Sequence, residues 1–236
     1  MANIKPIINV QFMRAMAALA VLAYHFSFQF QNAGGAASNW FFYLFNQIGY
    51  AGVDFFFVIS GYIMWITTKK KSRNNQALIF AYKRATRIYL GYWPYFLLAL
   101  LLINLYPSLA SDQVNLAGSF FLSELNMGKL LIQVAWTLQY ELYFYAIFTL
   151  LLLFKRSHAL KAITLMIALI VAFQWLKGQL PATHTANLNT WLNFLLSTYC
   201  LEFFVGCLMG AFFQKHRLKW ISALTLAGLG LLLLAV

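Results

Sequence analysis

Arg14 and His25 lie eleven residues apart in an otherwise apolar stretch. That spacing is close to three helical turns, so both side chains share one helix face, about 16 Å apart along the axis. One face therefore carries a permanent cation and a titratable base at two depths. A histidine near neutral pKa can take the proton of a hydroxyl group, and a neighbouring carboxylate can orient the ring and stabilise its charged form. Only five acidic residues occur in the chain, and three of them, Asp54, Glu141 and Glu202, also fall within apolar stretches. Ionisable groups cost on the order of several kcal/mol at mid-bilayer unless they are paired or face a cavity, so each is a candidate for function. Arg84 and Arg87, three apart on one helical face, can hold phosphate groups by forked hydrogen bonds. Each candidate has a structural reading too. His25 can be a packing histidine bonded to a carbonyl, Asp54 a counter-charge for Arg14 or a helix cap, and Glu202 half of a structural pair. The two arginines can be interfacial anchors.

The setting of these groups follows from composition. Hydrophobic residues make up 62% of the 236-residue chain and charged residues 9%, which suits a multi-span membrane protein with a lipid-bounded core. The net charge of +12 arises from short basic clusters between apolar runs, a pattern of cytoplasmic loops facing anionic lipid headgroups rather than of a nucleic-acid surface. Nucleic-acid binding is therefore excluded as a function class. Cys200 and Cys207, seven residues apart on one expected helix, are about 10 Å apart by helical rise and too distant to pair, so both read as free packing residues. His158, His184 and His216 sit in expected loops without metal-ligand spacing, and no metal is required.

Spans need about 20 mostly apolar residues. Seven windows qualify: 7–30, 47–68, 88–106, 131–154, 159–176, 190–213 and 218–236. With the amino terminus in the cytoplasm, 14 of the 17 basic residues fall inside, against Lys129 and Lys177 outside and Arg14 within a span, so the positive-inside rule selects that topology. The first span is too long and too interrupted by Arg14 to be a cleaved signal, and is retained. Residues 76–89 are apolar and basic by turns and are expected to form an amphipathic helix along the inner surface. Residues 107–128 are expected as an outer loop or half-inserted piece. The seventh window runs to Val236 without a polar tail, so the chain is expected to be cut inside a larger protein. On this topology His25 and Asp54 fall in the outer half, Glu141 and Glu202 about 15 to 18 Å in from outside, and Arg14, Arg84 and Arg87 toward the inner side.

Four blocks in this order carry a family resemblance: Arg14 with His25, GVDFFFVISG at Gly52 to Gly61, KRATRIYLGYW at Lys83 to Trp93, and AWTLQYELYFY at Ala135 to Tyr145. Together they resemble the acyltransferase-3 family of bacterial membrane O-acyltransferases, and the last block is similar to the branch that acetylates exopolysaccharides. The resemblance implies one all-α membrane-embedded domain over residues 1–236, a polytopic bundle of which seven of about ten spans are seen, in the bacterial inner membrane. It implies transfer of an acyl group, most often acetyl, from cytoplasmic acyl-CoA to a hydroxyl of a cell-envelope or exported glycan or its lipid-linked precursor. By the same matching, His25 is essential for transfer, Arg84 and Arg87 belong to donor binding, and Asp54 and Glu141 fall on the family's acids. The expected roles are donor binding for Arg14, Arg84 and Arg87 and catalysis for His25, Asp54 and Glu141, with His25, oriented by Asp54 or Glu141, acting as base or as an acyl relay. Glu202 matches a looser pattern. One departure is Leu90, where the family commonly has a proline after the Arg-Ile-Tyr triplet. Buried His, Asp, Glu and Arg also suit a proton-coupled transporter or flippase, and a short chain suits an inactive partner subunit.

Overall fold

A computed structural model describes residues 8–34, 40–68, 76–107, 113–180 and 190–216, and all regular structure among them is helical. In chain order the helices are α1 (Ile8–Asn32), α2 (Trp40–Ile48), α3 (Ala51–Thr67), α4 (Gln76–Leu105), α5 (Leu116–Phe120), α6 (Trp136–Leu151), α7 (Arg156–Gln179), α8 (Thr190–Leu195) and α9 (Thr198–His216). The chain divides into two compact units, one of Met1–Thr68 with Glu202–Val236, the other of Lys69–Leu201.

In the first unit α1 packs on α2 and α3 through small residues. A Cβ on Gly52 would lie 2.6 Å from the Ala17 carbonyl oxygen, and one on Gly49 would lie 2.8 Å from that of Ala20. Helices in an apolar solvent gain little from the hydrophobic effect and associate through close backbone packing, which small residues permit. Gly49 and Tyr50 form the turn that separates α2 from α3. The expected span at 47–68 is thereby shortened to a helix of 17 residues. The α3–α9 contact is closer still. Cβ atoms on Gly61 and Gly206 would collide with the carbonyl oxygens of Phe203 and Val58, and one on Gly210 would lie 3.1 Å from the Trp65 Cβ. Gly206 meets Val58 and Tyr62, and Gly210, one turn later on α9, meets Tyr62 and Trp65, one turn later on α3, so α3 and α9 run parallel. Met64, Phe203, Phe204 and Cys207 fill the interior around them.

In the second unit α4 is one helix of 30 residues. It fuses the expected surface helix at 76–89 with the span at 88–106, because no helix-breaking residue stands between them, and Pro94 lies inside the helix without ending it. Residues 113–122 are tied down. The Asn115 side chain caps α5 by accepting from the Gly118 amide at 2.9 Å. The hydroxyls of Tyr92 and Tyr89 donate to the carbonyls of Ser119 and Phe121, at 2.9 and 3.0 Å, and tie the segment to α4. Trp93 stacks on Phe120 with ring centroids 5.2 Å apart.

The expected span at 190–213 is broken at Leu196 and Ser197 into α8 and α9. The break is stable because its freed carbonyls find donors: the Gln174 amide to Leu196 at 2.6 Å, and the Tyr143 hydroxyl to Leu195 at 3.2 Å. Irregular backbone at membrane depth is tolerated only where protein groups satisfy it in this way. Both cysteines are buried, and neither is in a disulfide, as their spacing requires.

Three helical stretches are long and apolar enough to cross a membrane, Ala77–Leu105, Arg156–Gln179 and Thr190–Gln214, with Ala51–Thr67 a shorter apolar helix. Three of the seven expected windows, 88–106, 159–176 and 190–213, thus fall on full-length apolar stretches among the described residues. α1 has the length, 25 residues, but its polar side chains keep it out of that set. α6 has 16 residues where 131–154 was expected, and the window at 218–236 lies outside the described residues.

Candidate active site

α1 carries Arg14 half-buried and His25 exposed. Eleven residues at 100° each leave the two about 20° apart in rotation, so the shared stripe expected from their spacing is realised. That stripe flanks the face of α1, marked by Ala17, Ala20 and Val21, which packs on the Gly49 to Gly52 turn. The His25 ring sits edge-on to Tyr24 with centroids 5.4 Å apart.

Asp54 comes two residues after Gly52 and seven before Gly61, so it lies on the face of α3 turned to α9 rather than to α1. The parallel register that sets Val58 against Gly206 sets Asp54 against Glu202, and the Asp54 charge acts on Glu202. The Oε2 atom of Glu202 is buried without a hydrogen-bond partner among the described residues. Along α1, Asp54 lies about three residues from the level of Arg14 and about eight, or roughly 12 Å, from that of His25. No hydrogen bond joins His25 to Asp54 among the described residues. The first unit thus pairs two carboxylates that the sequence did not pair. The signal exists only in the α3–α9 register.

The second unit gathers the other candidates. Phe80, Arg84 and Arg87 occupy one face of α4, and Glu141, Tyr145 and Phe148 one face of α6, both at the i, i+4, i+7 spacing of a helical stripe. The faces meet: Phe80 packs edge-on to Tyr145 at 6.3 Å and against Phe148 at 5.6 Å. The Arg84 guanidinium carbon lies 5.5 Å from the ring centroids of both Phe80 and Tyr145. The Tyr145 hydroxyl donates to Glu141 Oε1 at 2.7 Å, and the charges of Glu141, Arg84 and Arg87 all act on it. Glu141 is therefore a neighbour of the arginine pair. Tyr145 and Phe80 were not singled out from sequence, although the Glu141 to Tyr145 and Phe80 to Arg84 spacings of four were readable.

Outside the spans, Glu124 accepts from the Asn126 amide at 3.0 Å and from the Asn115 side chain at 2.9 Å. These bonds hold its carboxyl below the usual carboxylate range. No group of three or more metal-ligating side chains gathers among the described residues.

A family model described as an acyltransferase domain matches residues 7–236. The chain belongs to the acyltransferase-3 family. It is 33% identical over 195 residues to the exopolysaccharide production protein ExoZ of Rhizobium meliloti (strain 1021), an alignment that covers 78% of this chain and 58% of ExoZ. This acyltransferase-3 chain thus spans less than two thirds of the length of that relative. No solved structure matches it. Membership accounts for the apolar helices, for the order of the four sequence blocks and for an acyl donor as the expected co-substrate.

Proposed function

We propose that this chain transfers an acyl group, acetyl in the first instance, from cytoplasmic acyl-CoA to a hydroxyl of an exported or cell-envelope polysaccharide or its lipid-linked precursor. It works as a multi-pass protein of the bacterial inner membrane with its amino terminus in the cytoplasm. The observation that carries this reading is the family match over nearly the whole chain, supported by the polysaccharide-related name of the relative. Arg84 and Arg87 bind the phosphates of coenzyme A, with Arg14 as a further cation for the donor. His25 takes the proton of the acceptor hydroxyl. The freed oxygen forms an ester bond to the acyl carbonyl carbon, the carbon–sulfur bond breaks, and the coenzyme A thiolate leaves and is protonated. Asp54 supports the imidazolium by charge rather than by contact, and Glu141 belongs with the donor arginines.

The test is transfer of labelled acetyl from acetyl-CoA, by the purified chain, to alkali-labile esters on glycan-bearing membranes. A general base contributes about a hundredfold or more to rate, so His25→Ala is expected to lose at least that much. Label transfer by His25→Ala equal to that of the wild type refutes the assignment. Label retained on the protein with donor alone, and lost in His25→Ala, identifies an acyl-histidine relay instead of direct attack.

A further inference from the structure

A guanidinium on a half-buried helix face samples many rotamers unless something grips it, and each one lost on binding weakens donor affinity. Arg84 is gripped by rings. Phe80 lies one turn before it on α4 and Tyr145 lies across from it on α6, each with its centroid 5.5 Å from the guanidinium carbon. The two rings stand at 88° to each other, so the guanidinium can lay its face on only one of them, but neither ring is a carboxylate that would take up its N–H donors, which are left for phosphate oxygens. An ion pair to a carboxylate would occupy those donors. Tyr145 has a second contact, because its hydroxyl donates to Glu141 Oε1 at 2.7 Å. One side chain thus touches an arginine of the donor pair and the carboxylate beside it.

We propose that Tyr145 is a positioning residue of the acyltransferase site. Its ring fixes Arg84 for the donor phosphates, its hydroxyl fixes Glu141, and Phe80 is the second jaw of the clamp. This rests on the reading that Arg84 and Arg87 bind the donor. The two duties reside on different atoms of Tyr145, so substitutions separate them.

Two readouts are needed: calorimetric affinity for coenzyme A in the purified full chain, and kcat for labelled acetyl transfer to glycan-bearing membranes. Tyr145→Phe keeps the ring and loses the hydroxyl, and is expected to bind coenzyme A within about twofold of wild type while kcat falls about tenfold. Tyr145→Leu loses both and is expected to bind about five- to tenfold more weakly, with kcat as low as in Tyr145→Phe. Phe80→Leu is expected to weaken binding about threefold and to lower kcat less than Tyr145→Phe does. Arg84→Lys cannot stack in the same way, so adding Tyr145→Leu to it is expected to change affinity little further.

Equal affinities in Tyr145→Leu and wild type overturn the clamp. Should Tyr145→Leu fail to fold, Phe80→Leu alone and in combination with Arg84→Lys decides: additive losses overturn the clamp and non-additive losses support it. Unchanged affinity in both Arg84→Ala and Arg87→Ala overturns the donor reading instead. The clamp is then judged separately by phenylglyoxal labelling of Arg84, expected to be faster in Phe80→Leu than in wild type. Equal labelling rates overturn it.

Discussion

Gly61 and Gly206 sit where α3 and α9 approach most closely, and alanine at either is expected to destabilise the chain. The Cβ of Gly61→Ala would strike the Phe203 carbonyl oxygen, and that of Gly206→Ala the Val58 carbonyl oxygen. Both obstacles are backbone atoms that no rotamer change can move. The helices must therefore part by about an ångström, which loosens the packing around Phe203, Phe204 and Cys207 and lengthens the bond from the Cys207 thiol to the Gly61 carbonyl, now 3.4 Å. Overpacking of this kind costs about 1–3 kcal/mol. Against it stands the intrinsic gain of alanine over glycine in a helix, up to about 1 kcal/mol. Because the obstacle is backbone the cost lies toward the upper end, and the clash wins with a net loss of up to about 2 kcal/mol.

Gly91 is the internal control, because nothing lies within 4 Å of a Cβ built on it in the middle of α4. There the propensity term acts alone, and Gly91→Ala is expected to stabilise by about 0.5–1 kcal/mol. Thermal unfolding of the purified protein in detergent reads these as opposite shifts of about 2–4 °C per kcal/mol. The double variant of Gly61→Ala and Gly206→Ala is expected to cost less than the sum, since helices already parted by the first methyl leave room for the second. Equal melting temperatures for Gly61→Ala and Gly91→Ala would refute the close parallel packing, and with it the register that sets Asp54 against Glu202.

Glu124 gives a pH signature. Its carboxyl titrates below its ordinary value of 4.5 because the Asn126 amide and the Asn115 side chain favour the charged form. The stabilisation is therefore complete above that value and is lost as pH falls through the lower, folded one, so wild type should approach Glu124→Gln in melting temperature below pH 4.5 and exceed it above. A constant difference across that range would refute the assignment. At the α8–α9 break, Gln174→Leu leaves the Leu196 carbonyl without its donor and is expected to cost about 1–3 kcal/mol in the same unfolding assay. A Gln174→Leu protein as stable as wild type would show that the break has no need of this bond.

Helix content was legible because apolar runs of 20 residues have few other solutions in lipid. The division of those runs was less so. The α2–α3 turn rests on the fit of Gly49 against Ala20, and the α8–α9 break on donors from Tyr143 and Gln174, and all of these partners lie far away in sequence. A hydropathy window sees none of them. It joined residues that the structure separates at Leu196, and it separated the surface helix from the span that α4 joins.

The site shows the same division between local and distant information. The Arg14 and His25 stripe needs only the helical period, and the Arg84 and Arg87 pair needs only a spacing of three, so both survive from sequence to structure. Partner choice does not follow from period. Depth counted from span ends set Asp54 beside His25, but depth along a helix says nothing of which side of the helix a residue occupies. Gly52 takes the α1 side of α3 and leaves Asp54 to α9, where Glu202 stands. The same reasoning adds a partner to Glu141. As a lone acid in an apolar run it called for a histidine, and as the residue one turn before Tyr145 it is held by a phenol whose ring also carries Arg84. In the second unit it is the aromatic side chains Phe80 and Tyr145, silent in any count of ionisable groups, that bring Arg84 and Glu141 together, as the glycines of α3 and α9 do for Asp54 and Glu202 in the first.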